Sequence, residues 1–477
     1  MKEKKLNLQF DFRHVLLLAA LMTYIVIVLG VMTRVSAGQG CPDWPTCYGS
    51  WNIPIQSTSV LDYVHRAATA LAGTMGFLVL AWSWRQYRQQ RLVFLPVLFS
   101  VFVFIAEIAV SAAGVFNLLP ESLESGLHLG LALLIFGLQL LAVSAVFQGK
   151  IPNRLNFASP FSRLSLITLV TVFILLVSGT LVSVTGATQF CQSWPLCEPQ
   201  GILGWINLGH RLSVGFSGLL VAFQMVKSWQ TQRSKPAILV AATATAVLLI
   251  SQALMGAVDV AENFPAHLLA LHLATSVAIF GTATLTASMT GLANSTAEDE
   301  RLEHQALRER SLKGMLKDFL MLTKPVVVLL LLVTTFAGMV IGAEMWPPLA
   351  LTFWTLLGGF MAAGGSGAIN QYIDRSDDHL MQRTQKRPIP SGRLTPGEGL
   401  AYGVAMSLAS FFIMVAFVNM LAALLTLAGI IYYVLLYSVF LKKTTVQNIV
   451  IGGGAGAIPP LVGWAAATGS LNIPSLF

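Results

Sequence analysis

Four histidines in this chain come in matched pairs. His65 lies in "YVHRAATALAGTM" and His128 in "GLHLGLALLIFG"; His210 lies in "LGHRLSVGFSGLL" and His272 in "ALHLATSVAIFG". Two imidazoles facing each other across a helical bundle suit axial ligation of heme iron. The only four cysteines fall in two look-alike loops, Cys41 and Cys47 in "CPDWPTC", Cys191 and Cys197 in "CQSWPLC". A third group lies far downstream. Asn370, Asp374 and Asp378 stand at i, i+4 and i+8, which on a helix is one face. Two carboxylates and an amide suit Mg²⁺, which takes oxygen ligands and bridges to phosphates. Arg383, Lys386, Arg387 and Arg393 follow closely, as a diphosphate substrate would require. A solvated cytoplasmic loop would explain those cations but not the spacing of the acids.

The elements that must position these groups are membrane helices. The 477 residues are 55% hydrophobic and only 10% charged, against about 25% charged in soluble proteins. Apolar runs near 20 residues recur throughout, which predicts an all-α polytopic membrane protein rather than a β-barrel. Helices are expected near 15–35, 61–83, 92–116, 124–147, 162–185, 206–226, 235–258 and 267–290. A polar segment, 294–319, reads as a cytoplasmic linker. Five more helices are expected near 326–343, 349–369, 400–418, 420–441 and 449–468, in a second module covering 320–477. The opening "MKEKK" precedes an apolar run too long for a signal-peptide core, so this run is a retained helix. The net charge of +8 reflects Lys and Arg in alternate connections and is not a sign of nucleic-acid binding. It places both ends of the first module inside and the cysteine loops outside, where disulfides persist.

The first module, 1–293, is a repeat. The cysteine loops, the "HR" helices and the "LH" helices recur at offsets of 150, 145 and 144 residues, which defines two four-helix units, about 12–148 and 160–292. Each has an even number of helices, so they run in parallel about an axis along the membrane normal. Each histidine is expected one to two turns below the outer surface. A single membrane histidine is as often structural as functional; two equivalent pairs favour function. His14, His304, His267 and His379 lack this support. Asp62 precedes His65 by three residues and is either an acid or base or a helix cap. Arg34, Arg66 and Arg211 are outer-side cations suited to heme propionates. Glu107, in mid-helix opposite Gln252 of the repeat, is expected to be protonated and hydrogen-bonded. Five intervening residues and a Pro-shaped turn predict disulfides Cys41–Cys47 and Cys191–Cys197, each a lid that braces a pocket or, in the first copy, passes electrons.

The pattern "GVMTRVSAGQGCPDWPTCYG", then "HR", then "LH", all repeated, resembles the heme A synthase family over residues 12–292. The resemblance implies oxidation of the C8 methyl of heme O to formyl. It further implies that His65 and His128 hold the substrate, with Asp62 where the family usually has Glu, and that His210 and His272 hold a heme b cofactor. The run "RTQKRPIPSGRLTP", with "GGGAGAIPPLVGWAAATG", resembles the protoheme IX farnesyltransferases among the UbiA-type membrane prenyltransferases. That resemblance implies transfer of the farnesyl group of farnesyl diphosphate to protoheme IX, giving heme O, at an Asp374/Asp378 face loaded with Mg²⁺. Ser376 stands where that family often has Asp. The family also has about nine helices and a second Asp-rich loop, so an end at "GSLNIPSLF" reads as truncation. A bis-histidine cytochrome b that only transfers electrons, carrying an inactive transferase remnant, is the rival reading, and a transporter is a second. The electron donor and any homo-oligomeric state are open. The expected location is a bacterial cytoplasmic membrane, with membrane lipid as the surrounding partner.

Overall fold

The computed structural model describes residues 11–35, 41–53, 57–191, 193–262, 265–308 and 310–476. Thirteen helices among them are long and apolar enough to cross a membrane, and the described residues contain no β-strand. The first eight are α1 (Phe12–Val35), α2 (Ser57–Tyr87), α3 (Arg91–Val115), α4 (Glu121–Val146), α5 (Pro160–Val184), α6 (Gly201–Thr231), α7 (Pro236–Ala261) and α8 (Ala266–Leu292). Their apolar composition and local signals explain their bounds. Ser159, for example, caps α5 by accepting from the Ser162 N–H, with Pro160 in the first turn. Large apolar side chains stay exposed along the helices, such as Phe102 at 60% and Leu219 at 74%, as a lipid-facing surface requires. The chain is an integral membrane protein.

Helices α2 and α6 begin about one turn earlier than the hydropathy pattern predicts. His65 and His210 are therefore the ninth and tenth residues of their helices, and His128 and His272 the eighth and seventh. At 1.5 Å per residue they sit roughly 9–14 Å along their helices, His128 and His272 within the expected two turns and His65 and His210 slightly beyond them.

The chain forms two compact units, one of residues 8–227 and 252–300, the other of 228–251 and 301 onward. The first contains both four-helix repeats, except for the part of α7 that clusters with the other unit. Helix α1 packs on α2 and α4, and α3 on α2 and α4; α4 and α8 also meet each other. The α4–α8 seam is reciprocal. A Cβ on Gly281 would fall 2.9 Å from the Phe136 ring, and one on Gly137 would fall 3.3 Å from the Phe280 ring. "IFG" in one repeat thus docks into "IFG" of the other, each ring over the partner's glycine, as a local two-fold relation demands.

The other unit holds α9 (Ala297–Arg308, which begins in the first unit), α10 (Leu312–Leu322), α11 (Pro325–Ala343), α12 (Leu349–Ile373), α13 (Arg375–Leu380), α14 (Pro396–Phe417) and α15 (Met420–Ile431). Beyond α15 the chain widens into a π-helical stretch, Tyr432–Leu441, and a closing helix, Ile458–Thr468. The segment expected as a polar linker thus includes one short helix and most of a second. Glu398, fully buried, forms a capping box with Thr395 at the start of α14 and lies 3.6 Å from Arg233 and 2.8 Å from Arg310.

Candidate functional site

All four repeat histidines turn Nδ1 toward an acceptor on the preceding helix. His65 Nδ1 donates to the Val26 carbonyl at 3.0 Å. Gly30 makes that approach possible, since a Cβ there would stand 2.8 Å from His65 Cε1. His210 Nδ1 lies 3.1 Å from Ser178 Oγ. The Ser178 hydroxyl gives its proton to the Leu175 carbonyl at 2.7 Å, so its oxygen accepts from His210. Gly179 provides the same clearance here, 3.2 Å from Cε1. His128 Nδ1 is 2.8 Å from Glu107 Oε1, and His272 Nδ1 is 3.4 Å from Asp259 Oδ2; neither pair is aligned for a full hydrogen bond. A proton held on Nδ1 leaves the Nε2 lone pair for a metal. The donor set in each repeat therefore fits heme iron.

His65, His128 and Glu107 line one cavity of about 270 Å³, walled mainly by the first repeat and closed by Thr180, Ser183, Val184, Leu269 and Leu273 of the second. Glu107, expected as a merely hydrogen-bonded acid, faces a histidine of the pair. Asp259 was not anticipated, although an acid inside an apolar helix is itself a signal. Its position in the repeat corresponds to Gly114, not to Glu107.

Both disulfides are present, Cys41–Cys47 with Cα atoms 4.8 Å apart and Cys191–Cys197 with 5.4 Å. What holds these loops is the arginine of each "HR". Arg66 donates to the carbonyls of Cys41 (3.2 Å), Asp43 (2.5 Å) and Thr46 (2.7 Å), and through Nε and Nη2 to Asp62. These contacts take all five guanidinium donors. Arg66 thus has no donor left for a propionate, which corrects that expectation. Arg211 repeats the clamp on the carbonyls of Cys191, Ser193 and Pro195 and on Asn207 Oδ1. Asp62 accepts from the Cys41 N–H at 2.8 Å. It lies more than a turn inside α2, so it caps the loop and not the helix. Asp43 tightens the first loop further; the Thr46 hydroxyl and the Gly49 N–H hold its carboxyl below the usual carboxylate range. Arg34 belongs to α1, and its side chain lies outside the described residues.

In the second unit, Asn370, Asp374 and Asp378 come together at the junction of α12 and α13. Asn370 Nδ2 donates to Asp374 Oδ2 at 2.9 Å. Two lysines join them. Lys324 Nζ reaches Asn370 Oδ1 at 2.8 Å, and Lys442 Nζ reaches Asp374 Oδ2 at 2.5 Å. Arg387 pairs with Asp378 at 2.6 Å. Burial first, and then Arg387, pulls the Lys324 ammonium down to about 8. Arg393 is elsewhere, on Asp318 at 2.9 Å and the Lys386 carbonyl, and Arg383 and Lys386 are exposed. Asp374 Oδ1 is buried without a partner, and no cluster of three or more His, Cys, Asp or Glu that could hold a metal occurs among the described residues. The unpartnered Asp374 Oδ1 is the oxygen of this cluster that fits Mg²⁺, an ion commonly held by one or two carboxylates together with substrate phosphates. Lys324 also lines a largely apolar cavity of about 430 Å³, with Tyr433, Tyr437, Gly429 and Val462. Lys324 and Lys442 were not anticipated. Lys442 lies in the basic connection "LKKTTVQN", where a topology charge is expected anyway, and Lys324 stands alone before the apolar run of α11.

A membrane protein with duplicated histidine pairs, followed by a cationic, carboxylate-bearing mouth on an apolar cavity, defines the class. The comparisons narrow it. The family "Cytochrome oxidase assembly protein" matches residues 13–62, 55–203 and 200–345, and the "UbiA prenyltransferase family" matches 331–477. The protoheme IX farnesyltransferase of Roseiflexus sp. (strain RS-1) is 37% identical, over 80% of this chain and 74% of that protein. Its namesake from Chloroflexus aurantiacus is 31% identical over 96% of this chain and 77% of its own length. That of Symbiobacterium thermophilum is 50% identical over 35% of this chain, which spans 55% of that protein. The chain belongs to the cytochrome oxidase assembly protein family, fused to a UbiA prenyltransferase region, an arrangement shared with long protoheme IX farnesyltransferases.

Proposed function

We propose that the first module is a heme A synthase that oxidises the C8 methyl of heme O to formyl. The observation that carries this is the set of four histidines whose Nδ1 atoms all face acceptors, one pair lining a cavity. His65 and His128 would hold the substrate, and His210 and His272 a resident heme b, which supplies redox chemistry when bound. Val26, Ser178, Glu107 and Asp259 orient the imidazoles. The clamped cysteine loops, placed on the outer face by the charge pattern, cover that end of the helices and limit water. Asp62, tied to Arg66 and Cys41, acts by positioning this lid.

The second module would transfer a farnesyl group to a vinyl group of protoheme IX. The prenyl chain lies in the apolar cavity, with its diphosphate at Lys324, Lys442 and Arg387. The diphosphate leaves with its electron pair, the vinyl π electrons bond the terminal vinyl carbon to the allylic carbon, and water adds to the cation left on the inner vinyl carbon and loses a proton, leaving a hydroxyl there. Mg²⁺, held by Asp374 and Asp378, neutralises charge on the diphosphate when bound. The whole would lie in a bacterial cytoplasmic membrane, with reductant supplied by a separate donor.

The test is to incubate purified protein with heme O, reductant and O₂. Hydroxylated and formyl heme products are expected; their absence refutes the synthase reading. A Soret band lost in the His210→Ala/His272→Ala variant would identify the resident heme; a band unchanged in that variant would refute its assignment.

A further inference from the structure

We infer that the first-repeat cavity is a groove for the prenyl tail of the heme substrate, and that Gly76 keeps it open. The inference rests on the proposed function and deepens it. The cavity does not end at the histidines. Its lining continues along α2 to Gly73 and Gly76, along α3 to Phe104 and Ser100, and along α4 to Gln139. From His128 to Gln139 is eleven residues, about 16 Å of helix. A planar ring held between His65 and His128 does not need that depth, whereas a flexible apolar chain hanging from the ring does. At the floor, the side chain of Gln139 is 6% exposed and its Oε1 has no partner. A polar floor ends the apolar channel and limits the length of chain it takes.

The second repeat supplies an internal control. At the 145-residue offset Gly76 becomes Val221, a branched side chain that is 2% exposed. Ala132, on the cavity wall, becomes Ser276, whose Oγ is engaged by Gln252 Nε2 at 2.6 Å. The repeat assigned to the substrate has no side chain at this position, and the repeat assigned to the cofactor has a buried valine. That is the difference expected between a heme with a farnesyl tail and one without. Gly76 is also an open position: a Cβ there meets only Val101 Cγ2, at 3.9 Å. At Gly73, by contrast, a Cβ would fall 2.5 Å from the Phe104 ring.

The experiment first loads the purified protein with one equivalent of heme b to fill the His210/His272 site, then titrates heme O and heme b separately and follows the absorbance of the second heme bound. Wild type should prefer heme O by about tenfold or more, since each buried methylene adds about 0.8 kcal/mol. Gly76→Val and Gly76→Phe should cut the preference to within about twofold, through loss of heme O affinity alone, with heme b binding unchanged. Gly76→Ala, which the open space admits, should keep most of it. An undiminished preference in Gly76→Phe overturns the groove. So does equal loss of both hemes in Gly76→Val when the melting temperature is unchanged. His65→Ala separates the two readings: if it leaves both titrations unaltered, the heme site itself is wrong, whatever Gly76 does.

Discussion

Arg66 joins two parts of the chain that the sequence shows only as separate motifs. Its guanidinium ties α2 to three carbonyls of the first cysteine loop. Arg66→Ala should destabilise the protein by about 2–3 kcal/mol, read by thermal or denaturant unfolding, because charge-assisted bonds in a half-buried setting are lost together. Arg66→Lys should recover little, since an ammonium cannot reproduce the five-donor fork. In the second unit, Lys324→Met and Lys442→Met should each lower prenyl transfer by about 10²-fold, the scale for losing one group that stabilises developing charge. Arg393→Ala, whose partners lie away from the carboxylates, should change it little. A product assay with both heme and farnesyl diphosphate supplied decides between these outcomes. Backbone acceptors explain why the sequence reading stopped short here. Spacing finds the histidines and the acids, but Val26 O, Cys41 O and Asp43 O carry no signature in side-chain type.

At the scale of elements, hydropathy finds all thirteen spans because bilayer thickness fixes their length. It misplaces the starts of α2, whose first turn is polar, and of α6, whose first turn is broken up by Gly201 and Gly204. It also misses the π-helical widening at Tyr432–Leu441, where the composition matches an ordinary helix. The repeat was legible for a different reason: matched motifs at one offset are a pattern in the chain itself. Its packing consequence was not. Gly281→Ala should cost about 1–3 kcal/mol, as overpacking against the Phe136 ring, and Gly137→Ala less, since its clearance is 3.3 Å. The difference in unfolding midpoint between the two variants measures this. Glu398→Gln should cost about 3–5 kcal/mol by leaving Arg233 and Arg310 without their buried partner; a loss below 1 kcal/mol would show that these arginines find other acceptors.

The whole molecule joins a module that would consume heme O to one that would make it. One chain then keeps an insoluble intermediate at high effective concentration. With protoheme IX and farnesyl diphosphate supplied together, the fused chain should release less free heme O than the two modules expressed separately; equal release would remove this advantage. A chelator of Mg²⁺ should abolish prenyl transfer while leaving the bound-heme spectrum intact, because in the proposed scheme only the second module would use the ion.

The seam between α4 and α8 has the geometry of an isologous dimer interface, in which any substitution appears twice. Here the two copies are covalently one gene product, so each substitution appears once. A change at Phe136 alters one side of the seam and leaves Phe280 as it was. Such asymmetry is already visible away from the seam, where Glu107 corresponds to Gln252 in the other repeat and Asp259 to Gly114. Tandem duplication thus released the two halves from mutational symmetry, so that each can change its side chains without changing the other's.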